Sequence, residues 1–268
     1  MGTKNEGLGL QRASAVLRGS AMFWFCCAAI GQWLFLSYVV VVYGSSAWRG
    51  ALGEWNQHLS GAYQPGQTAN NVAAILHIAL AVVILGGGPL QLIPQIRQRF
   101  ARFHRWLGRS YLLAVVTTAL AGMYLLANRD IGGVALTAGF VIQVFLILGF
   151  SWMALRHARR REFAQHRRWA LRLFMVASAV WFFRVMLMAW LILTGGMGVD
   201  TETGKGPFLD VMSFGQYVPL LILELYFRAQ SSASAGVKLA MGVSLVVLTL
   251  LMAAGAVLAF MFMWLPDF

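Results

Sequence analysis

Long uninterrupted apolar runs separated by short polar breaks set the pattern of this chain. Seven stand out, at about residues 20–43, 72–94, 108–127, 134–156, 170–194, 212–228 and 239–264. Each is close to the roughly 20 residues a helix needs to cross the hydrocarbon core of a bilayer. The runs are continuous rather than alternating, so they predict helices and not the strands of a barrel. The expected fold is an all-α integral membrane helical bundle of about seven transmembrane helices. Residues 1–19 read as a cytoplasmic tail and 20–268 as one transmembrane domain. The first run is longer than the apolar region of a signal peptide and is read as an uncleaved span. The run at 212–228 is the weakest, because it is short and holds Pro219, Gln216 and Glu224.

Composition agrees with the pattern. Of the 268 residues, 59% are hydrophobic and 11% charged, against roughly 25% charged in soluble domains. Mean hydropathy is +0.69. The net charge of +12 is informative only through its placement. With the N-terminus inside, 17 of the 21 Lys and Arg fall on the inner side; Arg49, Arg129 and Lys205 fall outside and Arg184 lies within a span. This asymmetry predicts an N-in, C-out multi-pass protein of the bacterial inner (plasma) membrane. Its basic cytoplasmic face would attract anionic lipid head groups, and the charge needs no nucleic acid to explain it. No loop is long enough for a soluble catalytic domain. Phosphate loops, metalloprotease helices, nucleophile elbows and Cys-x-x-Cys pairs are all missing from the sequence.

Chemistry must then come from helix faces and loop ends. In the second run His77, Ala81, Ile84, Gly88, Gln91 and Gln95 recur at helical spacing on one face, which predicts that it points into the bundle. Gly86-Gly87-Gly88-Pro89 should break that helix and open either a packing kink or a pocket beside His77 and Gln91. Arg184 and Glu224, counted from the outer ends of their runs, sit at equal depth and are expected to pair inside the membrane.

The segment at His104-Arg105-Trp106-Leu107-Gly108-Arg109 is echoed at His166-Arg167-Arg168-Trp169-Ala170-Leu171-Arg172. The echo suggests an internal repeat of 72–127 and 134–194. It also places two imidazoles at one depth. His104 and His166 on facing helices would suit a b-type haem, with Arg105, Arg109, Arg168 and Arg172 near its propionates. The bland alternative is interfacial anchoring by contacts to lipid phosphates.

His77-Ile78, Gly87-Gly88-Pro89-Leu90-Gln91, Arg97, His104 to Tyr111, His166 to Arg172 and Arg184 occur here in an ordered set. That set resembles the polytopic membrane family known as domain of unknown function 2306, over roughly residues 70–230. The resemblance implies the helical topology and the importance of these residues, and implies no reaction. The layout is also loosely similar to b561-type di-haem cytochromes, although a fourth intramembrane histidine is missing. Three function classes stand. One is a redox protein with haem b or a quinone at the cytoplasmic side, and hence an electron-transfer partner. Another is a transporter or small-ligand-binding protein built on His77, Gln91, Arg184 and Glu224. The last is a structural or assembly protein with a lipid-binding rim.

Overall fold

A computed structural model describes residues 2–59, 61–129, 133–200 and 205–267, with side chains from residue 7 onward. The helices are α1 (Gly2–Tyr38), α2 (Thr68–Leu92), α3 (Ala101–Asn128), α4 (Val134–Arg159), α5 (Phe163–Ala177), α6 (Ala179–Thr194), α7 (Pro207–Gly215), α8 (Val218–Ser231) and α9 (Ala235–Ala259). Among the described residues six segments are long and apolar enough to cross a membrane, and a seventh forms if α5 and α6 count as one bent span. They coincide with the seven apolar runs. The weakest run is part of a 25-residue segment, Pro207–Ser231, that qualifies as a span.

Successive spans run antiparallel, which gathers the basic turns at one end of the bundle. Gln91 near the end of α2 meets the start of α3, while His77 meets Gly122 near the end of α3. α4 and α5 repeat the arrangement through Ala154 and His166. α1 and α9 run parallel: Gly242 lies against Val16 and Leu17, and Trp264 against Phe35. Residues expected as a tail therefore belong to α1. Ala13 and Leu17 are buried, Leu17 against Ala229 and Leu245.

Backbones touch where a side chain is missing. A Cβ on Gly31 would stand 2.5 Å from the Trp181 ring. One on Gly139 would meet Ser213 atoms at 2.6–2.8 Å, including a backbone oxygen. Small residues of this kind are how helices associate inside lipid, where no hydrophobic force drives helices together and close packing must do so. The turn from α4 to α5 carries Arg161 with φ 60°, a left-handed helix end that lets Glu162 N–H reach the His157 carbonyl at 3.0 Å.

Two expectations about helix breaks change. α2 runs unbroken through Gly86-Gly87-Gly88-Pro89 to Leu92. Its glycines are filled from outside, Gly87 by Leu107 and Gly88 by Tyr111 and Phe174. No pocket opens there among the described residues. The sharp bend lies instead in the fifth span, 46° between α5 and α6 at Ser178.

Candidate functional site

The basic end is built from the α2–α3 and α4–α5 hairpins, closed by α8. Pro94 opens a short helix, Pro94–Arg99, whose last turn carries Arg97 and Arg99. Phe100, outside helical geometry, then starts α3 on a new axis. Gln91 ties the hairpin together. Its Nε2 donates to the His104 carbonyl at 3.1 Å, and its Oε1 would stand 3.1 Å from a Cβ on Gly108. Gln91 thus packs the two helices of the hairpin against each other.

His166 is oriented by its own hairpin. Its Nδ1 lies 2.9 Å from the Ala154 carbonyl. A carbonyl only accepts, so Nδ1 carries the hydrogen and Nε2 of the neutral ring is left as an acceptor. His104 is half-buried, and its Nδ1 is buried with no hydrogen-bond partner. His104 lies within electrostatic reach of His166, Arg97 and Arg105. The structure therefore does bring the two echoed histidines together.

Arg172 has a firmer role than expected. Its guanidinium makes a two-pronged ion pair with Glu224, Nε to Oε1 at 2.5 Å and Nη2 to Oε2 at 2.8 Å. The same guanidinium lies 4.6 Å from the Trp169 ring centre and 5.3 Å from that of Phe227. Arg168 covers Phe227 as well, at 5.2 Å. Arg105 and Arg109 are exposed, Arg109 resting 5.2 Å over Trp106. The basic end holds two described carboxylates. Glu162 is taken by His157 and Glu224 by Arg172.

The expected Arg184–Glu224 pair is not formed. α7 begins at Pro207, five residues before the expected start of the span, so Glu224 lies about 7 Å deeper, toward the basic end. That brings it to Arg172. Arg184 lies toward the far end, its guanidinium 5.2 Å over the Phe35 ring. His77 does not open a cavity either: its Nδ1 meets the Thr118 carbonyl at 3.1 Å and its ring fills the space at Gly122. Of the four proposed cavity residues, Arg184 lies within electrostatic reach of His77, while Gln91 is tied to His104 and Glu224 to Arg172.

Two buried amides, Gln32 and Gln143, are not singled out in the sequence reading, and a third, Gln216, is noted there only as a polar break. Gln32 Nε2 donates to Ser178 Oγ at 3.1 Å, and Gln143 Nε2 donates to the Val176 carbonyl at 2.9 Å. Both amides brace the bend between α5 and α6. Gln216, at the joint of α7 and α8, is 1% exposed and donates to the Ser213 carbonyl at 2.6 Å. Gln32 and Gln143 are lone amides inside apolar runs, and that alone marks an inward-facing polar group.

No curated protein and no solved structure matches the chain, so the looser likeness to b561-type cytochromes gains no support. The family described as predicted membrane proteins, domain of unknown function 2306, matches residues 74–228. That stretch holds most of α2, all of α3 to α7 and most of α8, with His104, His166, Arg172 and Glu224 of the basic end. The chain is a multi-pass membrane protein belonging to the domain of unknown function 2306 family.

Proposed function

We propose that this protein binds an anionic head group at its basic end, with that end on the cytoplasmic side of a plasma membrane. One observation carries the reading. His104 lies within electrostatic reach of Arg97, His166 and Arg105, while both described carboxylates of that end are held by other partners. Uncompensated cations at a membrane boundary attract lipid phosphate. The placement of 17 of 21 Lys and Arg on this side supports the orientation. The test is thermal unfolding in nanodiscs of phosphatidylcholine with and without phosphatidylglycerol. Phosphatidylglycerol should raise the midpoint of the native chain, and His104→Ala with Arg105→Gln should abolish the increment. An equal increment in that variant would refute the reading.

A second reading, haem b between His104 and His166, draws on the hydrogen bond from His166 Nδ1 to Ala154. Such a bond is how a metal-ligating imidazole is normally oriented. Haem would supply one-electron chemistry, and Arg105 and Arg168 would hold its propionates. An absorption spectrum of purified protein, oxidised and then reduced, decides it. A Soret band lost in His166→Ala supports haem, and a colourless folded protein excludes it.

A further inference from the structure

A guanidinium inside a membrane-spanning segment is costly unless an anion or water compensates it. Arg184 has neither a carboxylate nor a carbonyl partner among the described residues. Its contacts are the face of Phe35 at 5.2 Å and, through its charge, Tyr38, Tyr43 and His77. Asp267, whose charge also reaches Tyr38 and Tyr43, is held by His58 at 3.2 Å. The same core cluster contains further unsatisfied groups. Arg184 Nε, Trp264 Nε1 and Trp181 Nε1 are all buried without a partner, although Trp181 is 1% exposed and Trp264 0%. All three are donors. Buried donors of one kind with no acceptor call for an acceptor-only group from outside the chain. The walls are aromatic: Trp264 lies 5.0 Å from Phe35 and 6.3 Å from Tyr38.

The geometry points to a second ligand site at the far end, in which Arg184 and Trp264 bind the carboxylate of an apolar monocarboxylic acid. One positive charge calls for one negative charge. A carboxylate matches the planar fork of a guanidinium and offers only acceptors. The aromatic walls select an apolar body, aromatic or aliphatic. The site is separate from the basic end and does not depend on the reading given for it.

The experiment uses the full chain in phosphatidylcholine nanodiscs, with tryptophan fluorescence and thermal unfolding as readouts. Benzoate and octanoate serve as probes, and benzamide as the neutral match. At least one carboxylate should give a saturable fluorescence change and a higher unfolding midpoint, with little response to benzamide. If benzoate alone responds, the body is aromatic; if octanoate alone responds, it is aliphatic. Arg184→Gln should lower the affinity at least tenfold, while Arg49→Gln, an exposed far-end charge, leaves it unchanged. Should Arg184→Gln not fold, Trp264→Phe keeps the ring, removes one donor and should still weaken binding severalfold. Equal responses to benzamide and benzoate, no response to either acid, or native affinity in folded Arg184→Gln or Trp264→Phe would each overturn the proposal.

Discussion

The two ends of the bundle treat their intramembrane arginines in opposite ways. At the basic end Arg172 has both an aromatic pair and a carboxylate, so its charge is matched inside the chain. At the far end Arg184 has an aromatic face and, among the described residues, no carboxylate. A matched guanidinium clamps helices, here α5 to α8, and resists change. An unmatched one is tolerated only where something else answers it. The same residue type, twelve positions apart on one bent span, thus serves as a clamp in one place and an open contact in the other.

The comparison breaks most easily at the clamp. Glu224→Ala strands the Arg172 charge between Trp169 and Phe227. Breaking a fully buried pair costs about 3–5 kcal/mol, and the 38% exposure of the Glu224 side chain should bring the loss below about 3 kcal/mol. Hydrogen exchange in nanodiscs should show faster opening of α5 and α8 and little change around Trp55 and Trp264. Uniform loosening of both ends would show that they are not independent.

The bend between the ends comes next. Gln143→Leu keeps the volume but leaves the Val176 carbonyl without its side-chain donor, and should cost about 1–3 kcal/mol. Opening should then concentrate at Ser178, where Gln32 still holds the other side. A loss confined to α4, with α5 and α6 unmoved, would remove the bracing role from Gln143.

How much of this was legible follows from what each feature depends on. Crossing a bilayer depends on apolar length, so all seven spans could be read from the runs. The meeting of His104 and His166 depends on equal position in two hairpins, and the echo encodes that. The partner of Glu224 depends on where its helix starts, and an apolar window hides a helix that begins at Pro207 in a polar loop. The bend at Ser178 carries no proline or glycine; it is held by amides from α1 and α4, and such tertiary causes leave no local signature. Pro89 misled for the converse reason. Its helix is buried against Tyr111, Leu107 and Phe174, and that packing carries it through a locally unfavourable residue.

Close packing gives a further test. Gly139→Ala places a methyl group against the backbone oxygen of Ser213, at 2.8 Å, which no rotamer change relieves. Overpacking of this kind costs about 1–3 kcal/mol. The shift should also disturb the Tyr217 hydroxyl, which donates to the Gly139 carbonyl at 2.6 Å. A lower unfolding midpoint with unchanged exchange at both ends would locate the strain between α4 and α7.

The smallest expected effect lies at the far end itself. His58, in the turn after the short helix Leu52–Gln57, pairs with Asp267 at 3.2 Å and meets Tyr38 and Tyr43 edge-on at 6.3 and 6.1 Å. The pair is only partly buried, so Asp267→Asn should cost no more than about 0.2–1 kcal/mol. Its value lies in what it reports. Asp267 is engaged by His58 and makes no described ion pair with Arg184. If Asp267→Asn leaves stability nearly unchanged and alters carboxylate binding at Arg184 less than threefold, the compensation of Arg184 does not come from this carboxylate. A large loss of stability would mean that the chain supplies the missing charge itself, and the contrast between the two ends would disappear.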